Sequence, residues 1–176
     1  CTAYTSGTIV TAISGTDLDN TAADVGAKSG GTVSVQEYGL GQVVHKTVLT
    51  CTALPIAMTD DAGVAQYGGV KVYDFPEGLI MTLGAVIDGD FAGYASLIDT
   101  FDGDVALGTV TATTGATLVS TEADIMQSVA LTIAVGKVAN CDAVSVAAAL
   151  TESGARHLDG TSTAEDMYLN FVVDDN

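Results

Sequence analysis

Apolar side chains recur at every second position in short runs along this chain, and that spacing constrains the fold more than any other feature. Between Asp166 and Val173, Met167, Leu169, Phe171 and Val173 fall on one face, and Asp166, Tyr168 and Asn170 on the other. A period of two describes a strand with one side in a core. Leu79 to Ile87 repeats the pattern, with Leu79, Met81, Leu83, Ala85 and Ile87 sharing a side. Thr32 to Tyr38 sets Val33 and Val35 against Ser34 and Gln36. Val43 to Thr52 and Thr8 to Ile13 are rich in β-branched residues, which suit a pleated surface. Val70 to Phe75 reads as a strand that stops at Pro76, whose ring removes a ladder donor.

Between these runs lie Asp60-Asp61-Ala62-Gly63, Pro76-Glu77-Gly78, Asp88-Gly89-Asp90, Asp102-Gly103-Asp104 and Asp159-Gly160. All read as tight turns, because Gly takes positive φ cheaply and Asp bonds its own backbone. Short strands spaced in this way predict an all-β chain, a β-sandwich of jelly-roll-like form. Helical signals are few. Ser120 to Met126 carries a hydroxyl followed three residues on by an acid, a capping-box pattern that predicts at most one short helix. Val138 to Leu150 is Ala-rich, yet Val144 and Val146 alternate with Ser145 and Ala147, so it is read as a strand. Residues 1–31, with Gly15, Gly26, Gly30 and Gly31, are expected to form an irregular N-terminal arm, and residues 32–176 the sandwich domain.

Charge narrows the partners. The 176 residues hold 22 Asp and Glu against 5 Lys and Arg, a net charge of -17. Such a surface repels phosphates and has no basic patch to release counterions, so no nucleic acid is expected as a partner. No membrane is expected either, since anionic lipid is repelled in the same way. No stretch reaches the ~18 apolar residues of a spanning helix, and no basic segment followed by an apolar run marks a signal peptide. The absence of Trp disfavours a carbohydrate-stacking site.

Residues with chemistry are sparse. Cys1, Cys51 and Cys141 form no CxxC pair and no zinc pattern, and read as buried or idle thiols; whether Cys51 and Cys141 pair is not encoded in their spacing. Asp99, Asp102 and Asp104 are candidate oxygen ligands for Ca²⁺. They lack the Asp-x-Asp-x-Asp-Gly ladder with its terminal Glu, so the competing reading is a set of Asp-Gly turns, and no cofactor is expected. His45 and His157 read as surface or interface residues. Nucleophile elbows, phosphate loops and dinucleotide fingerprints are missing, so no enzyme is expected. The segment from Tyr67 to Gly78 concentrates aromatics in an aromatic-poor chain. Either Tyr73 and Phe75 pack inside two strands around a Gly-Gly bend, or Tyr67 and Tyr73 present an assembly face. Tyr67, Tyr73, Phe75 and His45 are therefore the interface candidates.

Five segments carry a resemblance: Val44-His45-Lys46-Thr47-Val48-Leu49-Thr50; Tyr67-Gly68-Gly69-Val70-Lys71-Val72-Tyr73-Asp74-Phe75-Pro76-Glu77-Gly78; Asp102-Gly103-Asp104-Val105-Ala106-Leu107-Gly108-Thr109-Val110-Thr111; Leu158-Asp159-Gly160-Thr161; and Asp166-Met167-Tyr168-Leu169-Asn170-Phe171-Val172-Val173-Asp174-Asp175. Together, over roughly residues 43 to 175, they resemble a family of tailed-phage virion structural proteins of the capsid decoration or cement type. In that family a Thr/Val-rich strand follows the Val-Asp-Asp segment, where this sequence stops at Asn176. The resemblance implies a stiff β-rich body on the outer capsid surface of a bacteriophage. It implies two partners, the major capsid protein and further copies of the chain, with a homotrimer as the expected form. It carries over no catalytic residues. Competing expectations are a tail or fibre component, and a Ca²⁺-binding secreted adhesin or surface-layer domain.

Overall fold

The alternating segment near the end of the sequence becomes a central strand. The computed structural model describes residues 9–13, 31–39, 45–60, 65–93, 100–113, 117–145, 157–161 and 165–174. Among them the strands are β1 Ile9–Ile13, β2 Thr32–Gly39, β3 His45–Ile56, β4 Thr59–Asp60, β5 Ala65–Asp74, β6 Leu79–Met81, β7 Ala85–Gly93, β8 Phe101–Gly108, β9 Met126–Ile133, β10 Val138–Ser145, β11 His157–Asp159 and β12 Asp166–Asp174. One five-stranded sheet has the order β10-β7-β1-β3-β2 and the other β4-β5-β12-β8-β9; β6 and β11 make a separate two-stranded ribbon. The fold is all-β, as the alternation predicts. The helical content of the described residues is a single 3-10 turn, Ser120–Glu122.

The two large sheets stack with their apolar faces together. β12 contributes Leu169, Phe171 and Val173; β8 contributes Phe101, Val105 and Leu107; β7 contributes Ile87 and Phe91; β3 contributes Cys51, Leu54 and Ile56. Phe171 is the hinge of this packing, meeting Phe91 of the opposite sheet at 5.5 Å and Phe101 of its own at 6.1 Å, both edge-on. Each fully buried side chain of this size contributes about 1.5–3 kcal/mol relative to exposure. A tight turn links the sheets: Lys137 N donates to Ala134 O at 2.9 Å, and Gly136 supplies the positive φ of 64°.

The outer face of the β12 sheet is also covered. The excursion after β8 folds back so that Ala112 and Leu118 bury against Ala106 and Val172, with Tyr67 half-buried at the margin. Fully buried Asn170 holds it down. Its Oδ1 accepts Ala112 N at 2.9 Å, and its Nδ2 donates to Val110 O and to Glu122 O, each at 2.8 Å. Thr109 donates to Asp124 from its backbone N at 2.9 Å and from its hydroxyl at 2.8 Å. Burial holds the Asp124 carboxyl above its ordinary range, against those bonds.

Several local expectations change in the folded context. Asp88-Gly89-Asp90 and Asp102-Gly103-Asp104 are not turns but the interiors of β7 and β8. Gly103 is needed there because a Cβ would collide with the Val172 backbone of β12, a close approach rather than a bend. Gly68-Gly69 likewise lies within a continuous β5, with Asn170 and Thr111 pressed against Gly69. The 3-10 turn has half a capping box. Glu122 accepts Val119 N at 3.2 Å and Thr113 N at 3.1 Å, but Val119 has no side-chain acceptor to return the bond. Ile9–Ile13, grouped with the arm from sequence, is an internal strand parallel to both β3 and β7. That parallel pairing departs from the antiparallel order of a jelly roll. The β3 register shifts where it meets β1, and Ala53 takes a φ of 49° at that bulge.

Candidate functional site

Alternation in Leu79 to Ile87 produces two strands and a break instead of one buried strand. β6 ends at Met81, Thr82–Gly84 is irregular, and β7 starts at Ala85. β6 pairs antiparallel with β11: Leu79 opposite Asp159, Ile80 opposite Leu158, Met81 opposite His157. Leu158 is buried and Ile80 half-buried, so the ribbon is rooted by that pair. Its free end is closed by Gly160 N donating to Gly78 O at 2.8 Å. The other side of β6 faces water: Leu79 is 70% exposed and Met81 60%, followed by Leu83 at 56% and Val86 at 65%. Of the run expected to line the core, Leu79, Met81 and Leu83 are exposed, while Ala85 packs against the core and Ile87 is buried in it.

β7 pairs antiparallel with β10. Val86, Asp88 and Asp90 lie on the outward side of β7, while Ile87, Gly89 and Phe91 are buried. Across the ladder, Val144 stands opposite Val86, Asp142 opposite Asp88, and Asn140 opposite Asp90. Asn140 Nδ2 donates to Asp90 Oδ1 at 3.2 Å. Asp142 has a carboxyl raised above its ordinary value by loss of hydration, by the charge and hydrogen bond of Asp88, and by the charge of Asp90. At the far end Val138, opposite Ala92, is 61% exposed.

The residues singled out from sequence lie elsewhere and are not brought together. Tyr67, near the start of β5, is half-buried over the second cluster, while Tyr73 meets Phe75 edge-on at 5.1 Å near the strand's other end. Phe75 packs against the main core, and its N donates to Glu165 O at 2.9 Å. Between them Lys71 bonds Asp166 at 2.8 Å and also Asp74; the Lys71 pair holds the Asp166 carboxyl below its ordinary range. His45 opens β3 opposite Gly39, and its side chain lies outside the described residues. Asp99 lies outside them as well. Asp102 accepts the Thr132 hydroxyl at 2.8 Å from within β8, and Asp104 follows on the same strand. Among the described residues no three His, Cys, Asp or Glu side chains converge on a metal position. Cys51 and Cys141 are buried free thiols, and burial pushes Cys51 up to about 11.

Leu79, Met81 and Leu83 were legible as a set, since they belong to one alternating run; Val86 is out of phase with it. The turn residues Pro76-Glu77-Gly78 and Gly84 on either side of Leu79–Leu83 mark it as short for a core strand. No family model, curated protein or solved structure matches the chain. Among the described residues no helix is long and apolar enough to cross a membrane.

Proposed function

We propose that this chain is a structural protein of a tailed-phage virion, a capsid decoration or cement protein that binds the lattice of the major capsid protein and stabilises the head from outside. The single observation that carries the reading is the exposure of Leu79, Met81, Leu83 and Val86 within one short segment, on a body whose two sheets share a dense core. Large apolar side chains left in water close together along the chain favour a protein-binding role. The five sequence segments that resemble the phage family point to the same role. A cement protein works by many copies clamping neighbouring subunits, so modest contacts multiply through effective concentration. Association of three copies about a local three-fold axis suits that task, and the net charge of -17 keeps free copies apart before they bind.

Quantitative mass spectrometry of purified particles tests the reading. A cement protein appears at a copy number comparable to that of the major capsid protein and leaves with mild heat while tails stay intact. A copy number of a few per particle assigns it to the tail or a fibre instead. The secreted Ca²⁺-binding alternative is tested by melting the protein with and without chelator, because a bound ion raises Tm.

A further inference from the structure

We propose that β2 is a docking edge for a second copy of this chain, whose own β2 pairs with it antiparallel about a two-fold axis, so that the sheet of one copy continues into that of the other. Among the described residues four strands end the two large sheets: β10 and β2 in one, β4 and β9 in the other. An edge strand offers unpaired N–H and C=O groups to any strand that fits, and proteins blunt such edges with brevity, bulges or charge. Three of the four are blunted. β4 is two residues long. β9 breaks register where it meets Val105 and Leu107 of β8. β10 carries Asp142, which stands opposite Asp88. β2 differs: it pairs with β3 residue for residue from Thr32 to Gly39, and in a chain with 22 acidic residues it holds one, Glu37.

Register selects the occupant. Val33 and Val35 share the side of β2 that faces the core. Val33 packs against that core, while Val35 is 46% exposed. Across the ladder to β3, Val33 stands opposite Cys51 and Val35 opposite Leu49. A two-fold axis normal to the sheet requires one residue of β2 to stand opposite itself, because opposed residues point to the same side. With Ser34 as that residue, Val35 meets Val33 of the second copy, and Glu37 stands opposite Gly31. The row of Leu49 and Val35 then runs on into Val33 and Cys51 of the second copy, an apolar line across four strands that takes the exposed valine out of water. An axis at Val35 or Gln36 would set Glu37 against a valine, and an axis at Glu37 would set acid against acid. The strand is therefore complementary to itself in one neutral register, which a basic partner cannot improve. This contact is two-fold, distinct from the three-fold association proposed above, and it holds or fails without the capsid reading.

Oxidative cross-linking of the free protein tests the edge and its register together. Residues opposed across antiparallel strands have Cα atoms about 4.5–5.5 Å apart, within reach of a disulfide, and offset residues do not. Ser34→Cys is expected to form a covalent dimer at least about tenfold faster than Val35→Cys, because position 35 stands opposite Val33 and not opposite itself. The wild type, with Cys1, Cys51 and Cys141, supplies the background rate. Val35→Asp is expected to keep the wild-type circular dichroism and to weaken dimerisation in sedimentation velocity by at least about tenfold, since it sets a charge into the apolar row. Each copy carries a net charge of -17, so added salt is expected to strengthen the wild-type contact. A Ser34→Cys rate no greater than that of Val35→Cys or the wild type overturns the proposal. So does a Val35→Asp variant that sediments as the wild type does, a wild-type chain that stays monomeric at every concentration, or a contact that salt weakens. All of these outcomes leave the capsid reading to the particle copy number.

Discussion

β12 and the β6 segment carry the same alternation of apolar residues and come to opposite ends. In β12, Leu169, Phe171 and Val173 are buried against a second sheet, and the outward Asn170 and Val172 are buried too, under the excursion after β8. In β6, Leu79 and Met81 lie in water while Leu158 of the paired strand is buried. Alternation states which residues share a side. It does not state what covers that side, and coverage depends on elements distant in sequence. β12 has two hydrogen-bonded neighbours and a layer on each face; β6 has one neighbour and one uncovered face.

Substitutions that exchange the two environments sharpen the contrast. Phe171→Ala removes the ring that joins Phe91 to Phe101, and urea denaturation should register a loss of about 3–5 kcal/mol. A change near zero would mean that the sheets do not stack through this ring. Asn170→Leu strands the Ala112 N–H and two carbonyls, at a cost of about 1–3 kcal/mol per unsatisfied buried group. Protease sensitivity between Thr109 and Asp124 should rise in the same variant; unchanged cleavage there would show that Asn170 does not pin the excursion. Leu79→Ser, the β6 counterpart, should shift stability by no more than about 0.5 kcal/mol. A loss as large as that of Phe171→Ala would place Leu79 in a core.

Two smaller effects concern protons. The folded protein holds the Asp142 carboxyl above the ordinary 3.8, so protonation is bound more tightly in the native state than in the unfolded one. Its contribution to stability is present at low pH and is lost as pH rises through the raised value. Carboxyl NMR titration should show the late midpoint, and Asp88→Asn should bring it back toward 3.8; an unchanged midpoint would exclude Asp88 as a cause. Cys51, pushed up to about 11 by burial, should resist alkylation at pH 8 until denaturant is added.

The strands were legible because hydrophobic periodicity is local: β12, β2 and the end of β5 at Pro76 follow from neighbouring residues alone. The Asp-Gly-Asp segments were misread for an equally physical reason. Asp and Gly favour turns in isolation, but Gly103 answers the Val172 backbone of a strand far along the chain, and Gly89 is paired on both sides, by Ile9 and by Cys141. The candidate residues combined both lessons. Leu79, Met81 and Leu83 were visible as a set, whereas the Asp88–Asp142 pair exists only through the β7–β10 register, which no spacing within the sequence encodes.

The parallel placement of β1 has a bearing on how the polypeptide is made. A hairpin zips with the strand next to it as soon as the turn is complete. β1 has no such neighbour: Val10 aligns with Thr52, and Ile9 to Ile13 with Gly89 to Gly93. Translation delivers β1 before either partner exists, so it emerges unpaired, gains its first neighbour only with β3 and its second only when β7 has appeared. During that interval the edge of β1 that β7 will cover stays open, which makes the nascent chain, more than the finished protein, the state in which a chaperone has most to shield.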